Sequence, residues 1–324
     1  KIARPKIEST TQKTMITLAI DCYDRHLPFF DGTLDMTGDP EIRVLQVGQT
    51  GHLRDGTARH ERMLQNGEFD AAETSLASYF AAKSRGLPYT AIPVFPRRLF
   101  SQGQIFVNAS AGIESPKDLE GKTVGLQSFQ TTLAVLAKGD LSSLYGVSLE
   151  KIHWVVIHDD AIQIDYPSDI DIRKAPAGSN LSEMLSRGDI DGLFFSRSPV
   201  SQGGEKGVIR RLFSSPETEE LRFIQEHGYW PIMHVLALKT ETADKHLDLP
   251  VRLMALFEAA YRQSSEYYAD PNWSRIVWAK YAYDAECAAF ADDLWTTGIR
   301  ANAPNLERFA DYALQQGLID HPMT

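Results

Sequence analysis

Short apolar runs alternate along this chain with stretches whose apolar residues recur three and four positions apart, the mark of strands followed by helices. MITLAID (15–21) is an apolar run ending on an acidic residue, and EIRVLQV (41–47) alternates apolar and polar, so both predict strands. ERMLQNGEFDAAET predicts a helix, a stop at Gly67 and a short strand through Ala71 and Ala72. SLASYFAAKSRG places Leu76, Tyr79, Phe80 and Lys83 at helical spacing, with Gly86 closing the helix. A strand over Thr90–Phe95 and another in QIFVNA follow.

The pattern restarts at SPKDLEGKTVGL, where Ser115, Pro116 and Asp118 form a helix-start signature ahead of a strand over Lys122–Leu126. QSFQTTLAVLAKG reads as a loop and then a helix whose first turn carries Thr131 and Thr132. IHWVVI, the end of NLSEMLSRGDIDGLFF and PIMHVLALKTE supply further strands. From Pro250 onward the pattern is mostly helical, with Trp273, Trp278 and Trp295 as expected packing anchors. Two strand–helix series and a helical tail predict two α/β lobes, with the chain crossing near Asn108–Gly112 and again near His234–Leu238. The expected division is 15–110 for the first lobe, 111–235 for the second, and 236–324 for a mainly helical completion of the first. The cleft between such lobes is lined by strand tips and helix N-termini, which suits a small anion.

Composition narrows the partners. The chain has 324 residues, 43% hydrophobic and 23% charged, with a formal net charge of −10, so its surface is not the basic one that nucleic acid requires. An acidic protein that binds an anion must concentrate positive charge locally. No apolar run approaches the roughly 20 residues of a membrane span. Cys22 and Cys287 stand far apart and form neither a metal-ligand nor a disulfide pattern, and the polar start KIARPKIESTTQKT reads as a tail without an apolar leader segment.

The strand in YTAIPVFPRRLF runs into Pro96 and two arginines, Arg97 and Arg98. Open α/β sheets bind ligands at strand tips, and guanidinium is the side chain best shaped for a carboxylate. Adjacent residues on an extended segment face opposite sides, so one of the two is expected to point away. A solvated turn is the other reading. Arg197, in FFSRSP, ends a second-lobe strand in the same manner.

CYDR, FDAAETSLASYFAAKSRG, AIPVFPRRLF, DLEGKTVGL, LSEMLSRGDIDGLFFSRSP, VIRRLF, WPIMH and LERFADYALQQGL, taken together in this order, resemble the 4,5-dihydroxyphthalate decarboxylase family from about Ile16 to Ile319. The resemblance implies the two-lobed, type II periplasmic binding protein-like fold, and loss of one carboxyl group from a dihydroxyphthalate to give a protocatechuate-type product. It implies a small aromatic carboxylate as partner and a cytoplasmic enzyme, and leaves room for a homo-oligomer. The reaction itself requires no redox cofactor or metal, and the sequential His158–Asp160 reads as a solvated loop with no second cluster to complete a site, so no structural metal is expected. A catechol-type substrate could still recruit a divalent ion. The alternative on this fold is a periplasmic solute-binding protein for an aromatic carboxylate or sulfonate importer. The chain departs from the family at Ser128, where a glutamate is replaced, and at Lys138, which stands for an arginine.

The reaction needs a base near the phenol, an acid near the ring carbon, and cations that hold the other carboxylate. Expected cations are Arg97, Arg98 and Arg197. His234 is the leading catalytic candidate, against a hydrogen-bonded core histidine as the alternative, with His26 as runner-up. Glu73 at a strand tip needs either a cationic partner or acid–base work, and Asp24 is its companion. Tyr23 and Arg25 are expected at the cleft edge, although Asp24 and Arg25 could equally pair with each other. Thr74 and Ser75 in the first lobe, and Ser128, Gln130, Thr131 and Thr132 in the second, either cap helices or hold a carboxylate.

Overall fold

A computed structural model of the chain describes residues 15–49, 53–290 and 293–323; the polar N-terminal tail lies outside the described residues. The strands are β1 (Met15–Ile20), β2 (Glu41–Gln46), β3 (Ala71–Ser75), β4 (Tyr89–Ile92), β5 (Ile105–Asn108), β6 (Thr123–Leu126), β7 (His153–Val156), β8 (Ile172–Lys174), β9 (Gly192–Phe194), β10 (Ile209–Arg211) and β11 (His234–Lys239). The α-helices are α1 (Pro28–Asp31), α2 (Arg59–Leu64), α3 (Leu76–Ser84), α4 (Thr132–Tyr145), α5 (Leu181–Arg187), α6 (Pro216–His227), α7 (Thr240–Lys245), α8 (Leu249–Ala269), α9 (Ala279–Ala289) and α10 (Ile299–Gln315).

The strands form two sheets, ordered β2-β1-β3-β11-β4 and β10-β5-β9-β6-β7-β8. In the first, β1 runs parallel to β2 and β3, while β11 returns antiparallel between β3 and β4. Alternation sorts the side chains onto two cores. Leu18, Ile20, Leu236 and Leu238 pack with Leu253 and Phe257 of α8 on one face. Ala19, Ala72 and Ala237 face the other core, with Phe80 of α3. All five residues of β3 are buried, as expected of a strand covered on both faces.

The second sheet buries Trp154, Val124 and Leu126 on one side and Phe106, Leu185 and Leu193 on the other. The expected first crossing at Asn108–Gly112 is corrected here. β5 pairs with β9 and β10, so the chain has already left the first sheet before Ile105. Its partners arrive some 85 to 100 residues later, from Gly192 and Ile209 onward, and local patterning holds no record of them.

The helical tail does not stay on one lobe. Phe309 and Tyr312 of α10 share a core cluster with Leu133 and Leu136 of α4, and the Tyr312 hydroxyl donates to Asp140 at 2.9 Å. Of the three tryptophans expected as anchors, Trp295 packs against Trp230 and Tyr261, and Trp273 stacks on Tyr267. Trp278 is 72% exposed and anchors nothing.

Candidate functional site

The centre of the site is a carboxylate on a fully buried strand. Glu73 of β3 is 0% exposed, and donors from several elements meet its carboxylate. Arg59 forms an ion pair with it at 3.1 Å, and the Asp21 backbone N–H and the Tyr23 hydroxyl donate to it at 3.2 and 3.1 Å. His234 Nδ1 lies 2.5 Å from Oε1. Burial alone would push this carboxyl up, but Arg59 and His234 outweigh it and hold it well below the usual carboxylate range.

An ionised Glu73 accepts only, so His234 must carry its proton on Nδ1, which leaves Nε2 with the lone pair. Burial then lowers the His234 pKa to about 4, against the opposing pull of Glu73. The pair is therefore a neutral imidazole held by a carboxylate. The register explains why they meet: Leu236 of β11 sits opposite Glu73, and His234 lies two residues along, on the same face.

Two residues the sequence reading passed over complete the cluster. Arg59 is fully buried and donates through Nε to the Glu73 carbonyl at 2.7 Å and through Nη1 to the Val47 carbonyl; it also pairs with Asp21 at 3.4 Å. His60 packs edge-on against His234, ring centroids 4.8 Å apart, and its Nε2 is buried without a hydrogen-bond partner among the described residues. Both come from the first turn of α2, entered through Ala58 in the left-handed region at φ 60°. That conformation is uncommon for alanine and marks a backbone held in place by its surroundings. Burial, with His234 and Arg59 beside it, drives the His60 pKa well below its ordinary value.

Arg97 and Arg197 bring the charge. Arg97 leaves the first sheet after β4, and Arg197 follows β9 of the second. Both are half-buried, and neither side chain forms a hydrogen bond or ion pair with the described residues. They lie close together: after burial, Arg97 is the main cause that lowers the Arg197 pKa, while Arg97 also acts on Tyr23, His60 and His234. Two guanidiniums from opposite sheets, with no anionic partner among the described residues and a neutral imidazole beside them, have the charge and shape to meet a dianion.

The other expected contacts are spent on structure. Arg98 is buried and donates to the carbonyls of Trp230 and Thr296 at 2.8 and 3.0 Å and to Asn302 Oδ1 at 2.6 Å, so it is the arginine that points away. Asp24 pairs with Arg25 at 3.3 Å and accepts from the Tyr268 hydroxyl, which removes it from Glu73. Arg25 is clamped on the Pro96 carbonyl and sandwiched between the rings of Tyr23 and Trp295. Thr74 lies within the sheet against the Val235 carbonyl. Ser75 caps α3 and bonds Thr132 at 2.9 Å, and Thr132 also accepts the Ala77 N–H, which ties the start of α3 to the start of α4. Thr131 caps α4, and the Gln130 side chain is paired with the backbone of Ile162. Ser128 is buried with its hydroxyl unpaired among the described residues, and it remains at the tip of β6. In the His158–Asp160 run, Asp159 pairs with Lys174, and Asp160 accepts from the Gln130 N–H and the Tyr166 hydroxyl.

His26, the runner-up, is a core histidine. It lies among Phe29, Phe257 and Tyr261, with Nδ1 2.8 Å from the Asp21 carbonyl, and burial lowers its pKa to about 4. The unfolded chain therefore takes up a proton on this residue between pH 6.5 and 4 that the folded chain refuses. Stability from His26 is present above pH 6.5 and lost as the pH falls, by on the order of 3 kcal/mol at pH 4. Urea unfolding at pH 7 and pH 4.5 should show a loss of at least that order, to which His60 and His234, lowered by burial in the same way, add; equal midpoints would mean that these imidazoles protonate freely in the fold.

Comparison with known proteins follows the same lines. Residues 54–194 match the family described as NMT1/THI5 like. The chain is 28% identical over 315 residues to a 4,5-dihydroxyphthalate decarboxylase of Comamonas testosteroni, covering 94% of this chain and 93% of that one. It is 30% identical over 214 residues to a protein of the same name from Pseudomonas putida, covering 63% of this chain and 79% of the relative. Among solved structures, it resembles the periplasmic aliphatic sulphonate binding protein SsuA from Escherichia coli, with TM-score 0.56 at 13% identity over 96% and 95% of the two chains. The alkanesulfonate-binding SsuA from Xanthomonas axonopodis pv. citri matches with TM-score 0.55 at 11% identity over 94% of each. At such identities these two show the fold, the two-lobed α/β fold of periplasmic binding proteins.

Proposed function

The chain belongs to the 4,5-dihydroxyphthalate decarboxylase family, whose named members are carboxy-lyases, and we propose that it removes one carboxyl group, without oxidation, from a dihydroxyphthalate-like aromatic diacid. The observation that carries this reading is the buried line Arg59–Glu73–His234, which ends beside two guanidiniums that have no anionic partner among the described residues. A transport receptor needs the cations. It has no need of a carboxylate-held imidazole with a second imidazole against it.

Arg97 and Arg197 hold the substrate carboxylates and orient the ring. His234 Nε2 takes the proton of the hydroxyl para to the departing carboxyl group, and Glu73 stabilises the imidazolium that forms. His60, neutral in the free site, takes up a proton from solvent as the diacid's charge arrives and delivers it to the ring carbon that bears the carboxylate. That carbon becomes tetrahedral, the bond to the carboxylate breaks, and its electron pair restores the aromatic ring as CO₂ leaves. The para oxygen then recovers its proton from His234, so the net change is one proton taken up and one CO₂ released.

Substrate charge also acts on the two histidines. Arg97 is among the groups that hold both imidazoles below their ordinary pKa. A bound dianion offsets that contribution and raises both pKa values, working against the burial that is the larger cause of their lowering.

The test is incubation with 4,5-dihydroxyphthalate, with and without added divalent ions, following CO₂ release. Arg97→Gln and Arg197→Gln should each raise KM about 10- to 100-fold, the equivalent of one charge-assisted contact of about 1.5–3 kcal/mol. Tight binding of the diacid with no turnover in either condition would overturn the decarboxylase reading and leave a solute-binding protein.

A further inference from the structure

A second cavity lies away from the cleft, in the second lobe, where the middle and end of α4 face the 146–154 segment and the end of α10. Its volume is about 440 Å³, and its wall includes Phe129, Lys138, Ser142, Trp154 and Gln316. Lys138 is the unusual member. It is 1% exposed, it forms no ion pair with the described residues, and Nζ donates only to the Phe129 carbonyl, at 3.2 Å. Nζ stands 3.0 Å from the centroid of the Phe129 ring, with the Trp154 ring 5.9 Å away. The carboxylate that acts on it at a distance, Asp160, is already engaged by the Gln130 N–H and the Tyr166 hydroxyl. Gln316 adds a second unmet polar atom: Nε2 donates to the Val135 carbonyl at 2.8 Å, but Oε1 is buried with no partner.

The magnitudes decide which form of the amine sits there. An ammonium over an aromatic face gains about 2 kcal/mol when desolvated, whereas burying an unpaired ion costs several kcal/mol. Desolvation wins, and the amine is held neutral, its pKa well below the ordinary lysine value. A neutral amine set against two aromatic rings, beside a cavity large enough for a small aromatic or branched molecule, is a nucleophile. Lys138 lies seven residues, about two turns, beyond the α4 N-cap Thr131, so this chemistry is separate from that of the cleft.

We propose that this cavity is a second small-molecule site, in which Lys138 captures an aldehyde or ketone as an imine. The Nζ lone pair forms a bond to the carbonyl carbon, and the carbonyl π pair moves to oxygen. A proton passes from nitrogen to that oxygen to give the carbinolamine. Water then leaves with the remaining N–H proton, and the C=N bond forms. No oxidant or reductant takes part, and the site stands or falls independently of the decarboxylase reading.

The experiment uses benzaldehyde with the purified chain at pH 7, trapping by cyanoborohydride and locating the adduct by peptide mass mapping. Lys117 and Lys151 are exposed and each is ion-paired with Glu120, so Lys138 should be labelled at least about tenfold faster than either. Lys138→Met should abolish the fast adduct. Ser142→Trp, which fills the cavity from the exposed side of α4 and leaves the lysine in place, should slow it by a similar factor while the thermal transition is retained. Labelling that follows surface exposure and leaves Lys138 unmodified overturns the proposal, as does a Ser142→Trp protein labelled at the original rate.

Discussion

Replacing His234 with asparagine should lower decarboxylation by about 10²- to 10⁴-fold while the protein stays folded, the range over which a positioned acid–base group contributes. Asparagine is the informative choice because its side-chain amide can still donate to Glu73, so the buried carboxylate keeps that partner. What it lacks is the lone pair at Nε2. The loss should fall on kcat, with KM for the diacid changed little, because substrate charge is held by Arg97 and Arg197 and not by the imidazole. Steady-state kinetics and a thermal melt of the same preparation separate the two effects. A variant that turns over at the wild-type kcat removes His234 from the chemistry, whatever it does to binding.

The parts of this site that were legible in the sequence share a property: each is a charged or titratable residue where the pattern demands an apolar one. Glu73 interrupts a strand buried along its whole length, and His234 opens one. Arg97 follows a strand that the pattern had already placed. Arg59 and His60 had no such contrast. In ARHERML they read as the polar face of a short solvated helix, and only the fold turns them inward. Arg59 meets Glu73 14 residues away, and His60 meets His234 about half the chain away. The weak signal available was a buried strand acid that needed a cation.

The hydroxyls carried two readings from the start. Ser75, Thr131 and Thr132 stand at helix starts facing the junction of the lobes, so both capping and ligand contact fitted the sequence. Capping won because an orphan backbone N–H is present whether or not a ligand is bound. The strand order misled for a related reason. β5 follows β4 closely in sequence, yet its pairing with β9 and β10 reflects long-range contacts that no local period encodes.

Arg59→Met should destabilise the protein by about 3–5 kcal/mol, the cost of removing one partner from a buried ion pair. The guanidinium neutralises Glu73, pairs with Asp21, and satisfies the carbonyls of Glu73 and Val47. Without it Glu73 is a fully buried carboxylate with only neutral donors, and it must either pay for its charge or take up a proton. Protonation would also break the pairing that fixes His234, so activity should fall with stability. The double variant Arg59→Met/Glu73→Gln separates charge from packing. It removes both ions while keeping an amide that can bond the imidazole, and should recover at least about 1 kcal/mol relative to the single change. Urea unfolding of the four proteins measures the coupling. A single variant that loses less than about 1 kcal/mol, or a double variant no more stable than the single, would mean that the Arg59 charge does not hold Glu73 in its ionised state.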